Sequence, residues 1–171
     1  MTYDINKMLD SLEATLVANA ATLATSLSVN YPTIGADNII IGDPKRITRQ
    51  VDQYPCIILT PKNKSQEWDE LGINSSNKMA RQLTIPVDIL CLCQAMSDSE
   101  DSDRQARTLS KNVESVLETN IEKSDTTSTV SDGWHTVMAN NVIYDGAYSE
   151  SEQTYVSSAN IEAEFKIWGY R

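Results

Sequence analysis

The chain has 171 residues, 14 basic against 24 acidic, and a net charge of −10, with 40% apolar and 22% charged residues. That is one domain's length with apolar content enough for a core, which excludes disorder throughout and leaves little room for two compact domains. The acidic balance disfavours a nonspecific grip on DNA or on an anionic membrane; it reads first as a device for solubility, and leaves open a protein that handles DNA by repulsion.

Residues 4 to 28 read as a long helix. Ile5, Met8, Leu9, Leu12, Leu16, Leu23 and Leu27 recur at three- and four-residue spacings, and Asp4 is a candidate cap. "NYP" at 30–32 ends it. "MTYDINKMLDSLEATL" has neither a basic leader nor an unbroken apolar run, so no signal peptide is expected; no apolar stretch has the length of a membrane span. The expected place of synthesis is a reducing cytoplasm. A short strand follows at Ile39–Ile41, closed by a turn at "GDP".

"YPCIILTP", residues 54–61, is apolar on both faces of a strand and bounded by prolines, so it is expected in the middle of a sheet, covered on both sides. Residues 62–81 lack steady periodicity and read as an extended loop or arm. Lys62, Lys64, Trp68, Lys78 and Arg81 are its candidate contacts with a neighbouring subunit or partner. Lys45, Arg46 and Arg49 form a second small basic group.

"QLTIPVDILCLC", residues 82–93, is the next strand. Leu83, Ile85, Val87, Ile89, Cys91 and Cys93 share one face, and Pro86 points to an edge or a bulge. The acidic stretch "SDSEDSD" then opens a second helix, with Ser97 and Glu100 spaced as a capping box. Ala106, Leu109, Val113, Val116, Leu117 and Ile121 form its buried stripe, and it is expected to stop between Asn120 and Ser124. Two final strands, 133–148 and 154–170, are joined by a turn at "SESEQ", with "ANN" a candidate interruption of the first. The second alternates Ala159, Ile161, Ala163, Phe165 and Ile167 with Ser158, Asn160, Glu162, Glu164 and Lys166. The expected fold is α+β: one domain over 1–171, built as a single mixed, largely antiparallel sheet with two main helices packed on it.

Little in the chain points to chemistry. No phosphate-binding glycine frame or nucleophile elbow is present. His135 is the only histidine, and is read as a packing residue rather than a base. Cys56, Cys91 and Cys93 lack the spacing of a disulfide framework and the partners of a zinc site, and read as small buried apolar groups. The acidic run 98–103 lacks the glycine and terminal glutamate of a calcium loop. No catalytic residue, cofactor or metal is expected.

The element layout resembles the tail terminator, or tail completion, proteins of long-tailed bacteriophages and related neck ring proteins. The likeness lies in "INKMLDSLEATL", in "IIIGDP" before "YPCIILTP", in "RQLTIPVDILCLC" leading into "SDRQARTLSKNVESVLETNI", and in the closing "VSSANIEAEFKIWGY". The resemblance implies a non-enzymatic subunit of a homo-hexameric ring in the virion. That ring caps the head-proximal end of the tail tube, meets tube and neck or connector proteins, and lets DNA pass without sequence-specific binding. Asp98, Asp101, Glu162 and Glu164 are the candidate bore-facing acids. Without the resemblance, the same features suit a small non-catalytic α+β adaptor or binding module.

Overall fold

The computed structural model describes residues 4–28, 34–43, 54–62, 68–73, 79–96, 98–122, 133–151 and 154–170. Its elements are α1 (Ile5–Ala18), α2 (Ala20–Leu23), β1 (Ile39–Ile41), β2 (Cys56–Pro61), β3 (Trp68–Ile73), β4 (Met79–Met96), α3 (Ser99–Thr119), β5 (Thr136–Ser151) and β6 (Thr154–Tyr170). The fold is α+β: one mixed sheet in the order β1-β2-β4-β6-β5, with β3 also on β4. Only β1 and β2 run parallel; the other pairings are antiparallel.

The helices lie on one face of the sheet. Alternation along β4 and β6 sends Leu83, Ile85, Val87, Ile89, Cys91 and Cys93, and Ala159 through Ile167, into one core with α1 and α3. The opposite face holds a smaller cluster of Tyr54, Cys56, Ile58, Leu92 and Val156. So β2 is buried on both faces, as its doubly apolar sequence requires.

The long N-terminal helix is broken where the periodicity predicts continuity. At Asn19 the side-chain amide donates to the Thr15 carbonyl at 2.8 Å, and the backbone N–H turns to Leu16 at 3.0 Å. An asparagine that competes for the backbone in this way ends the regular turn, and α2 resumes for one turn only. Ser26, at φ 61, then carries the chain out of the helical region.

α3 is the main covering helix. Its cap is Asp98, whose carboxylate accepts from the Glu100 N–H at 2.9 Å; Ser97, the expected cap, lies outside the described residues. Ala106, Leu109, Val113, Val116 and Leu117 enter the core against the sheet, while Gln105, also buried, accepts from the Ser28 N–H at 2.9 Å. Ser102 and Ser157, both buried, share a hydrogen bond at 2.7 Å, and Ser157 donates on to Asp103 at 2.6 Å. This chain of hydroxyls fixes the start of α3 on β6. Its end is fixed by Trp134, whose Nε1 donates to the Asn120 carbonyl at 3.1 Å while the ring meets Phe165 edge-on at 5.1 Å.

Glu114 is half-buried on α3, and burial, followed by repulsion from Glu118 one turn on, raises its pKa above the ordinary value. A raised carboxyl pKa means the neutral form is favoured in the folded state. Its contribution is whole below the unfolded value near pH 4.3 and is lost as pH rises through the folded value. Glu114→Gln therefore raises the melting temperature at pH 7, by the equivalent of up to about 0.5 kcal/mol. The gain disappears at pH 4; an equal gain at both pH values would show that charge is not its cause.

The thiols are enclosed. Cys56, Cys91 and Cys93 are all buried thiols outside any disulfide. Burial pushes Cys56 up to about 11, and raises Cys91 as well. The folded protein is expected to leave all three unreacted with Ellman's reagent at pH 8, and to release all three in 8 M urea. Fast reaction of one thiol in the folded protein would contradict this packing.

Candidate functional site

The segment 62–81, expected as a loop, is largely paired strand in its described part. β2 leaves the edge of β4 at Pro61, opposite Val87, and the Lys62 N–H still reaches the Pro86 carbonyl at 2.9 Å. β3 then rejoins that edge, with Trp68 opposite Leu83 and Ile73 opposite Met79. The segment lacks the two-residue alternation by which a strand is read from sequence, so the pairing left no signature there.

The handover from β2 to β3 explains Pro86. A strand residue points its N–H and C=O the same way, and the Pro86 carbonyl points toward Lys62. Its missing donor therefore faces the gap between β2 and β3, not β6, which is where proline does least harm in a strand.

On the other side of β4, pairing with β6 continues to Ala80–Tyr170, past the last core residues Leu83 and Ile167. β3, the start of β4 and the end of β6 thus form a three-stranded arm of the sheet. Trp68 stands in this arm opposite Leu83, and Arg81 between Glu70 and Gly169, by backbone register. Lys64 and Lys78 lie outside the described residues.

Where the arm leaves the body sits a polar rung on the face away from the helices. Lys62 Nζ lies 2.8 Å from Asp88 Oδ1 and 2.9 Å from Glu162 Oε1. Within the subunit, Lys62 thus bridges the two carboxylates. The two carboxylates raise its pKa, Asp88 first, and Lys62 followed by Asn141 lowers that of Glu162. Asp88 Oδ1 is buried, and Lys62 approaches it at ion-pair distance but off the hydrogen-bonding direction. Asp88 was the missed residue; its signal was one carboxylate in an otherwise apolar stretch, "IPVDILCLC".

The candidate acids fall on two sides of the sheet. Asp98 caps α3, and Asp101 is 2.6 Å from Arg104, which, followed by Gln105, lowers its pKa. These belong to the helical layer. Glu162 and Glu164 lie on the opposite face, in register with Asp88 and Pro86. They do not form one acidic surface within a subunit.

His135 sits at the start of β5. Its Nδ1 accepts from the Trp168 N–H at 3.0 Å and its ring stacks on Trp168 at 5.3 Å. An accepting Nδ1 is unprotonated, in keeping with a pKa lowered by burial. Trp168 Nε1 continues the network to Gln82 at 3.1 Å. The imidazole thus braces the root of the arm. Among the described residues no three His, Cys, Asp or Glu side chains are grouped to hold a metal ion, and no helix is long and apolar enough to cross a membrane. The hollow along α3, lined by Asp98, Asp101, Arg104 and Arg107, is open and shallow.

The remaining feature is β5, the outermost strand on its side. Met138, Ile143 and Tyr144 on it are 50%, 43% and 49% exposed, and Trp168 on the neighbouring strand 47%, which places most of the large exposed apolar side chains among the described residues on one hairpin. Set against known proteins, the chain matches no protein-family model and no curated protein.

Proposed function

We propose that this protein is a structural subunit of a bacteriophage virion, forming a ring that caps the head-proximal end of the tail tube and joins it to the neck. The observation that supports this best is the sheet's length relative to its helical cover. β4, β5 and β6 have 18, 16 and 17 residues. Strands of that length span about 55 Å, against about 32 Å for α3. Sheet that outruns its cover is surface for neighbours, and a head-to-tail contact that closes gives a ring. The resemblance in element order supplies the place in the virion: tube protein on one side, connector on the other, DNA through the bore.

The His135 network supports a bracing role over a catalytic one, since the ring nitrogen is engaged by a backbone amide. The test is native mass spectrometry across a concentration series, with electron microscopy of the largest species. A closed hexamer with a central hole is the expected result. A dimer at every concentration would replace this reading with that of a small adaptor. Binding of purified tube ends by the ring, capping further growth, is the test of its position.

A further inference from the structure

We infer that His135 is a pH-operated latch on the arm: the neutral imidazole holds the end of β6 in place, and its protonation releases Trp168 and the strand beyond it. This goes beyond the ring reading and holds whether or not the chain forms a ring.

The register of β5 with β6 begins at Thr136 opposite Lys166, and the His135 N–H donates to the Lys166 carbonyl at 3.0 Å. Past that point a side chain becomes the acceptor for β6: the Trp168 N–H donates to His135 Nδ1 at 3.0 Å. The imidazole does there what a strand carbonyl does elsewhere, with one difference. A carbonyl accepts at every pH. An imidazole accepts only while neutral, with its one proton on the other nitrogen. Protonation puts an N–H on both nitrogens, so Nδ1–H would meet the Trp168 N–H donor to donor. The hydrogen bond is lost, and either the ring turns or Trp168 withdraws.

The same imidazole holds Trp168 a second time, by stacking on its ring at 5.3 Å and 29°. The third hold is the indole Nε1, which donates to Gln82 on β4 at 3.1 Å. Two of these three holds therefore pass through one titratable group. The core does not replace them: Trp168 is exposed, and Ile167 just before it is the last core residue of β6. Trp134, on the other side of His135 in the chain, has its own anchors in Asn120 and Phe165, so the release stays local to the arm.

Burial lowers the pKa of His135 and outweighs Glu122, past the end of α3, whose charge favours the imidazolium. Lys166 on β6 meets His135 through its main chain, β4 meets the network with the uncharged Gln82, and β5 carries no charge before Asp145. A lowered histidine pKa means that the folded state prefers the neutral ring. Its contribution is whole above the unfolded value near pH 6.5 and is lost as pH falls through the folded value. The latch is closed at neutral pH and opens in mild acid.

The test is NMR of the full chain with labelled histidine nitrogens, taken from pH 8 downward until the imidazole protonates. Amide hydrogen exchange is read alongside as protection factors, which remove the intrinsic pH dependence of exchange. At pH 8 the expected tautomer carries its proton on Nε2. As the ring protonates, protection of the Trp168 amide is expected to fall about tenfold or more, with that of Ile161 and Phe165 unchanged. His135→Asn offers an amide oxygen near the place of Nδ1 and does not titrate, so it is expected to keep Trp168 protected throughout. His135→Phe keeps a ring against Trp168 without an acceptor, and is expected to leave that amide poorly protected at every pH. A proton on Nδ1 at pH 8 overturns the latch, as does Trp168 protection that survives protonation of the ring. An equal fall in His135→Asn gives the release to another group, and an equal fall at Ile161 and Phe165 marks global unfolding; either overturns it too.

Discussion

Trp134→Ala is expected to cost the protein about 3–5 kcal/mol of stability, the largest loss from any single side chain at the helix–sheet junction. Trp134 is fully buried, packs edge-on against Phe165, and donates to the last turn of α3. Truncation removes three things at once: the apolar volume between α3 and β6, the aromatic pair, and the donor that satisfies the Asn120 carbonyl. Asn120 also closes the helix with its own N–H to Val116 and Leu117, so the helix end survives but loses its attachment to the sheet. Trp134→Phe keeps most of the volume and loses the donor, and is expected to cost about 1–2 kcal/mol. Urea denaturation of both variants gives the comparison. A loss below about 1 kcal/mol for the alanine variant would mean that α3 is not anchored there.

Lys62→Met is the second large effect. The variant keeps much of the side-chain volume and takes the cation from between Asp88 and Glu162. Asp88 Oδ1 is then a buried carboxylate oxygen without its countercharge, at an expected cost of about 1–3 kcal/mol. Glu162→Gln costs less, because Glu162 is half-exposed and its ion pair is screened by solvent. Asp88→Asn on top of Lys62→Met recovers part of the loss, since the orphaned charge is gone. The pH dependence follows from the shifts. Lys62 is raised, so its contribution is whole below the ordinary lysine value and is lost as pH rises through the folded one. Glu162 is lowered, so its contribution is whole above the ordinary carboxylate value and is lost as pH falls through the folded one. The effect of Lys62→Met is therefore greatest between about pH 5 and about pH 10, and shrinks in 1 M salt. Hydrogen exchange locates the consequence. Lys62 is where β2 hands the edge of β4 to β3, so amides of Trp68–Ile73 are expected to exchange faster in the variant, with those of Cys56–Leu59 unchanged. Uniform acceleration would instead mark a general loss of stability.

The periodic segments were legible in the sequence. β6 has the alternation its residues imply, from Ala159 to Ile167 on the core side and Ser158 to Lys166 on the other. α3 has its apolar stripe from Ala106 to Leu117, though Ile121, expected in that stripe, lies past the helix end and is exposed, and β2 has its two buried faces. In each, one face is removed from water, and that burial selects the residue pattern. The three cysteines are enclosed, as their apolar neighbours imply.

What tertiary structure alone decided is where a local preference met a partner far along the chain. Nothing in "KNKSQEWDELGIN" announces a strand; β3 exists because β4 offers it an edge just past Pro86. Asp88 is one carboxylate on a strand face whose partners, Lys62 and Glu162, come from two other segments. Of the acids grouped together by charge, Asp98 and Asp101 went to the helical layer and Glu162 and Glu164 to the opposite face, because a two-residue repeat and a helical repeat distribute side chains independently until the layers dock. Burial leaves a periodic signature in one segment of sequence; edges, ion pairs and shared faces are relations between segments, and no single segment carries them.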